Sequence, residues 1–421
     1  LLADILSPDL GFPYDPDEDF DAVLDRVILS KHPEFMPLAK KYIRARSEYD
    51  KITRKFESQS SVLDLIAPKI KEYGRTLAFA NTKVQEKEFD LTGMLANVGD
   101  NIIVPAYQNF KSTVDILSVA ADTFNNNPTT PHLLSLRVAF KNAYINWQKC
   151  DVFEFGPAMD NALRANFNVY PTDTTKITTN VSSGSFNIDV LSNSDAKGFP
   201  AIDFLLYGDN QSDAYILSTF TTHTHAANKK QYLLALIAGI KSKTDATVSA
   251  WGTYITTFKT SLGYSVGSSA GLLVNAMNSY YERYLRDGKV GIPVGIRSLG
   301  IALPRQTEAF YGKFSAELLN ASLQSFQNLY LGKYGSTNGL GLDDHLVAYD
   351  GAAIDENLRN YLADAVVSCN TLSDPLSQQI INNQTSVEAV YSKLQKVIIP
   401  LKVDMPSKLG ILISYQDNDG D

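Results

Sequence analysis

Several stretches of this chain carry residue types whose spacing could do chemistry. "GSSAG", residues 267–271, has the G-x-S-x-G spacing of a nucleophile elbow, and Asp343, Asp344 and His345 follow it in the order of a hydrolase relay. In such a relay a serine hydroxyl attacks, a histidine takes its proton and an acid orients the ring. Five histidines, His32, His132, His223, His225 and His345, are the candidates for metal ligation or proton transfer. The closing "YQDNDGD" alternates Asp417, Asp419 and Asp421 around Gly420, as a calcium loop begins. "GFPAIDFLLYG", residues 198–208, sets a glycine and an acid, Asp203, beside an apolar run.

Most of these signals weaken once the surrounding elements are considered. A nucleophile elbow needs a strand before it and a helix after it, whereas the helical pattern "TYITTFKTSL" precedes Gly267. His345 also directly follows its acid, a poor arrangement for a relay, so Ser268 or Ser269 reads as the cap of the next helix. No H-E-x-x-H pair occurs, and His223 and His225 stand two apart, on different faces of a helix. The histidines therefore read as surface or loop residues. No glutamate follows the acidic tail to close a calcium site, and the tail reads as solvated. "NGLGLDDHL", 338–346, reads as a turn followed by an acidic N-cap, Asp343 or Asp344.

The elements that must position these residues are helices. Residues 1–87 are charge-dense; Asp15, Asp17, Glu18 and Asp19 precede Val23, Leu24, Val27 and Ile28 at helical spacing, predicting exposed helices without chemistry. From residue 88, Leu95, Val98, Ile102, Phe110, Val114 and Leu117 form one stripe, which Pro105 should kink or restart. Leu136, Phe140, Ala143, Trp147 and Cys150 repeat the theme up to Gly156 and Pro157. Residues 173–197 are rich in Ser, Thr and Asn, and predict a long connection with β-like fragments around Ile177 and 186–190. Helical texture resumes over 212–262 and 271–287, Gly-rich punctuation fills 288–300, and further helices are expected near 313–331, 355–372 and 386–403. Strand-like alternation is scarce, so the fold class is all-α, built from bundles of packed helices.

Composition sets outer bounds. Length of 421 residues allows two or three domains, and 44% hydrophobic with 20% charged residues describes a folded protein. Thirty-eight basic against 46 acidic residues, a formal charge of −8, argue against nucleic acid as a partner. No run of about 18 apolar residues occurs to span a membrane. The chain starts at Leu1, which leaves open a cleaved signal or an anchor upstream. Cys150 and Cys369 are the two cysteines; their pairing is not fixed by sequence, and two buried free thiols are the default.

Taken in order, "LRVAFKNAYINWQKCDVFEFGPA", "NVYPTD", "GFPAIDFLLYG", "LPRQTEAFYGKF", "NGLGLDDHL" and "LGILISYQDNDGD" resemble the imelysin-like proteins, peptidase family M75, over about residues 88–421. The resemblance implies an all-α protein of two bundle-like halves, 88–262 and 263–421, with a cleft between them, and a helical extension of its own over 1–87. It further implies a bacterial cell-envelope protein, periplasmic or a lipoprotein, connected with iron uptake. The family hallmark is G-x-H-x-x-E. On this chain Gly198 and Phe199 match its start, Pro200 stands where the histidine belongs, and Asp203 stands for the glutamate. Proline can neither ligate a metal nor exchange a proton, so chemistry that needs that histidine is lost at this position.

The same residues make a sound helix start. Proline at the first helical position loses nothing, an acid in the first turn suits the helix dipole, and Ile202, Leu205 and Leu206 then face the core. By motif position the cleft residues are Gly198, Pro200, Asp203, Trp147, Phe155, Tyr170, Arg305, Glu308 and Tyr311, with Glu308 ranked first and Arg305 placed to pair with it. No catalytic residue and no metal ligand is assigned, and the cofactor is unknown. The expected function is non-catalytic binding of a small ligand, a metal complex or an envelope partner at the cleft. The alternative is an M75-type metallopeptidase with a non-standard metal site.

Overall fold

In the computed structural model the described residues are 89–414, with the isolated helical positions 41, 44 and 47. The readings made on 1–87, on His32 and on the acidic tail lie outside them. Helices of six or more residues are numbered here. The chain from Asp90 to Pro406, with residues 411–414, forms one compact body. Phe89 and Ser407–Gly410 belong to the other unit, in which the Gly410 amide closes a turn on the Ser407 carbonyl at 3.4 Å.

The architecture is all-α, as the hydrophobic periodicity requires. Helix α1 (Leu91–Ala96) is capped by the Asp90 side chain, which accepts from the Gly93 amide. It runs through a π-helical stretch, Asn97–Ile103, into α2 (Val104–Asn126). α3 (Thr130–Trp147) returns beside α2, and the long α7 (Ala226–Thr260) lies against both α1 and α2. The stripe from Leu95 to Leu117 is buried throughout, as is the one from Leu136 to Cys150.

Pro105 does not break its helix. A proline lacks the N–H and crowds the carbonyl four residues earlier. The wider i→i+5 turn of Asn97–Ile103 gives that ring room, and the same pattern recurs with Tyr280–Gly291 before Pro293 and Ile399–Asp404 before Pro406. Much of the 288–300 stretch that reads as Gly-rich punctuation is thus the end of a helix.

Residues 173–197 depart from the sequence expectation. They contain α4 (Thr174–Ser183), N-capped by Asp173 and ended by Gly184 at φ 68°, with Ile177 buried. Its Thr-rich sequence is a weak helix former, and the cap together with the one buried apolar contact decides the conformation. α5 (Gly198–Tyr207) and α6 (Asp213–Thr219) follow.

Beyond residue 262 come α8 (Ser269–Ser279), the π-helix Tyr280–Gly291, α9 (Ser315–Tyr330), α10 (Leu342–Ala348), α11 (Ala352–Cys369), α12 (Leu376–Asn382) and α13 (Gln384–Lys396). Strand structure among the described residues is a small antiparallel hairpin, Lys333 opposite Asn338 and Tyr334 opposite Thr337. Cys150 and Cys369 are free and buried. No described helix is long and apolar enough to cross a membrane.

Candidate functional site

The helix that opens "GFPAID" is built around packing. Gly198 sits at φ 72°, and a Cβ there would lie 2.3 Å from the Phe167 carbonyl oxygen, so only glycine fits. Phe199 stacks on Tyr144 with ring centroids 4.5 Å apart and has Phe110, Phe140 and Phe167 around it. Pro200 is buried at the third helical position, not the first; its missing N–H is still one that no intrahelical carbonyl would meet. Ile202, Leu205 and Leu206 are buried as expected. At the far end Arg137 donates from Nε and Nη2 to the Leu206 carbonyl at 3.0 and 2.7 Å, capping α5.

Asp203 is not a first-turn acid. It is the sixth residue of α5, 1% exposed, and it reaches across to the 304–314 loop, where Oδ2 accepts from the Tyr311 amide at 2.9 Å. Oδ1 has no hydrogen-bond partner. Burial pushes this carboxyl up to about 8, against the pull of the Tyr311 and Gly312 amides and with a further push from the Glu308 charge.

Glu308 is buried to the same degree, 1% exposed, within a polar network. Its Oε2 accepts from the Lys289 ammonium, and its Oε1 accepts from Gln148 at 3.0 Å and Asn168 at 2.7 Å. Gln148 Oε1 in turn accepts from Lys289 at 2.7 Å and from the Ser322 hydroxyl at 2.9 Å. Tyr144 donates to Asn168 at 2.6 Å. A neighbouring pair, Arg164 with Asp151 at 2.7 Å, carries the Tyr284 ring 4.0 Å from the guanidinium. The π-helix brings Lys289 inward among these groups, on a stretch that reads in sequence as Gly-rich punctuation.

The structure gathers some expected residues and separates others. Arg305 and Tyr311 line an open cleft of about 280 Å³, with Phe310 and Lys313 from the same loop, Asp209 after α5 and Ile381 of α12. Arg305 pairs with Asp209 at 2.6 Å and not with Glu308, which the buried lysine has already claimed. Asp203 lies under the cleft wall. Tyr170 stands near Gly288, whose Cβ, if present, would be 3.3 Å from the phenol oxygen. Trp147 and Phe155 are core, packed on Phe110 and Phe167 and on Trp251 and Phe258 respectively. Lys289, Gln148, Asn168 and Ser322 were not legible as site residues, because nothing in their spacing marks them as inward-facing.

The other candidates resolve into structural roles. Ser268 caps α8, accepting from the Gly271 amide at 3.2 Å, and its hydroxyl donates to the Ser265 carbonyl at 2.7 Å. Asp344 accepts from the Gly341 amide at 3.0 Å, and Asp343 pairs with Arg359 at 2.5 Å. His223 is exposed and His225 half-buried, with rings 5.8 Å apart. His345 is fully buried, with Nε2 3.0 Å from the Tyr264 hydroxyl.

Burial holds the His345 imidazole down at about 4, against 6.5 in an open chain. Between those values the unfolded chain binds a proton that the folded protein refuses, so stability falls as pH drops through that window. The full loss is on the order of 3 kcal/mol. Thermal unfolding followed from pH 7 to pH 4 should show this slope, and His345→Gln should flatten it; an unchanged slope in the variant contradicts the assignment.

A metal does not fit the motif position. Pro200 offers no donor, Asp203 Oδ2 is engaged by the Tyr311 amide while its Oδ1 is buried against Gly312, and both Glu308 oxygens are engaged, one of them by an ammonium group. Among the described residues no three His, Cys, Asp or Glu side chains converge as ligands.

Comparison with known proteins gives a consistent picture. The imelysin family model, Peptidase M75, matches residues 103–399. Iron-regulated protein A of Synechococcus elongatus is 20% identical over 323 residues, covering 72% of this chain and 84% of its own length. The fold is shared with an iron-regulated protein A precursor from Parabacteroides distasonis, with TM-score 0.63, 16% identity, 76% of this chain and 95% of that one. It is also shared with an imelysin-like protein from Psychrobacter arcticum, with TM-score 0.60, 16% identity, 78% of this chain and 99% of that one.

Proposed function

This chain belongs to the imelysin family, and from that premise we propose that it is a non-catalytic binding protein of the bacterial cell envelope. Its site is the open cleft beside α5, and its ligand is a small molecule or metal complex handled during iron acquisition. One observation carries the reading. The acids nearest the motif are closed off, Glu308 by Lys289, Gln148 and Asn168 and Asp203 by the loop backbone, while the cleft above them stays open. Its wall offers the Arg305 guanidinium, the Lys313 ammonium and the Phe310 and Tyr311 rings, which suit a ligand with anionic oxygens and a flat apolar part. The link to iron is supported by the name of the cyanobacterial relative.

Ferric citrate serves as the probe of this reading. Titrated into the purified full chain, it should bind, and Arg305→Ala should weaken it about tenfold or more, as loss of a charge-assisted hydrogen bond does. A protease assay with and without chelator, run beside elemental analysis, covers the opposing case. Stoichiometric bound metal together with chelator-sensitive cleavage would establish a metallopeptidase and remove the binding reading.

A further inference from the structure

The cleft wall is a loop held in an unfavourable shape. Between residues 304 and 314 the backbone passes through left-handed angles at two positions that are not glycine, Ala309 at φ 48° and Lys313 at φ 61°. Side-chain-bearing residues keep such angles only where their surroundings over-determine them. Three contacts do so here. The Lys313 amide donates to the Ala309 carbonyl at 2.8 Å, the Ser315 hydroxyl donates to the Glu308 carbonyl, and the Tyr311 amide donates to Asp203. Gly312 has no room for a side chain, since its Cβ would lie 2.6 Å from Asp203 Oδ1 and 2.3 Å from the Phe314 ring.

Asp203 is the one contact of the three that can change its charge. Tyr207 from its own helix, Tyr144 from α3 and Tyr311 from the loop all feel its field as neutral phenols. Glu308, with its Lys289 partner, is the charged group whose field raises Asp203. Arg137 of α3 is committed to the Leu206 carbonyl and to Asp213. α4, α6, α7 and the 163–167 turn pack on the other sides of α5, and none of them is among the groups whose charge moves Asp203.

We propose that Asp203 is a positioning residue of the cleft: buried beneath the 304–314 loop, it clamps the Tyr311 backbone, and the wall opens with loss of its proton to water. The sign follows from linkage. In the closed wall burial pushes the carboxyl up to about 8, and in an opened wall, exposed to water, it returns toward the ordinary 3.8. Opening therefore releases a proton between those values and becomes easier by up to about tenfold per pH unit, levelling off on either side. The behaviour belongs to the wall and needs no ligand. On the binding reading given above, a ligand seated against Tyr311 and Arg305 is held in acid and released toward alkaline pH.

Hydrogen exchange in the ligand-free full chain tests the clamp, which keeps its outcome separate from that of the ferric citrate titration. Protection of a peptide covering residues 308–314, corrected for intrinsic exchange, should fall steeply from pH 5 to pH 8 and then level off. A peptide within the core of α7 should not follow it. In Asp203→Asn, which keeps an acceptor for the Tyr311 amide and cannot ionise, the fall should vanish. Protection in the native chain that is independent of pH overturns the proposal, as does an Asn variant that keeps the full dependence. Should that variant not fold, carbon-13 titration of the Asp203 carboxyl in the native chain decides: a midpoint near 8 supports the clamp, and one near 4 overturns it.

Discussion

Lys289→Met is expected to destabilise the protein by about 3–5 kcal/mol, the cost of removing one member of a buried ion pair. Lys289 and Glu308 are 3% and 1% exposed, and each side-chain oxygen of Glu308 already accepts at least one hydrogen bond. Without the ammonium group the carboxylate stays buried, with two amides as its remaining side-chain donors. It must then ionise in a poor medium or take up a proton, and either outcome draws on the stability of the fold. Gln148 loses a donor at the same time, because Lys289 also serves its Oε1.

The argument is sharpened by the second variant of the pair. A buried ion pair is worth little against well-packed neutral groups, so Lys289→Met combined with Glu308→Gln should recover much of the single-variant loss. Urea unfolding of the native chain, both single variants and the double variant measures the coupling directly. A single-variant loss below about 1 kcal/mol would mean that water reaches the pair, contrary to its burial.

Gly198→Ala should cost about 2–4 kcal/mol, combining a left-handed backbone angle with a collision. The angle is φ 72°, and the new methyl group would come 2.3 Å from the Phe167 carbonyl oxygen, a backbone atom that cannot swing aside. Gly263→Ala separates the two contributions. Gly263 has φ 94° with nothing within 4 Å of its would-be Cβ, so only the angular strain of roughly 1–2 kcal/mol applies. Equal losses at the two sites would show that the contact with Phe167 is relieved at no cost. The first glycine of "GFPAID" is thus required by the junction between two chain segments, whatever the family motif does elsewhere.

The motif reading and the structure meet at Asp203 for a reason the sequence does not contain. Its spacing from Gly198 placed it on a helix beside an apolar face, and this much holds. The dipole argument failed because the helix starts at Gly198, which leaves Asp203 past the first turn and facing a loop about a hundred residues away in sequence. Arg305 and Glu308 show the same limit. Three residues apart, they suit an ion pair on a helix. The chain there is a short 3-10 turn, Pro304–Gln306, followed by extended backbone at Thr307, which sends one side chain to the cleft and the other to the core.

Local pattern determined what local physics controls. The all-α class, the buried stripes of α2 and α3, the cap at Ser268 and the free thiols were legible because periodicity, capping and cysteine count act within a few turns of chain. The six ordered segments likewise sufficed to identify the family. Tertiary structure alone decided which charges went inward. A lysine in "RDGKVG" and a glutamine in "NWQKCD" carry no mark of burial, because the free energy of burying a charge depends on the partner that meets it, and that partner is supplied from 19 and 160 residues away. For the same reason the sequence could name Glu308 but not the lysine that neutralises it.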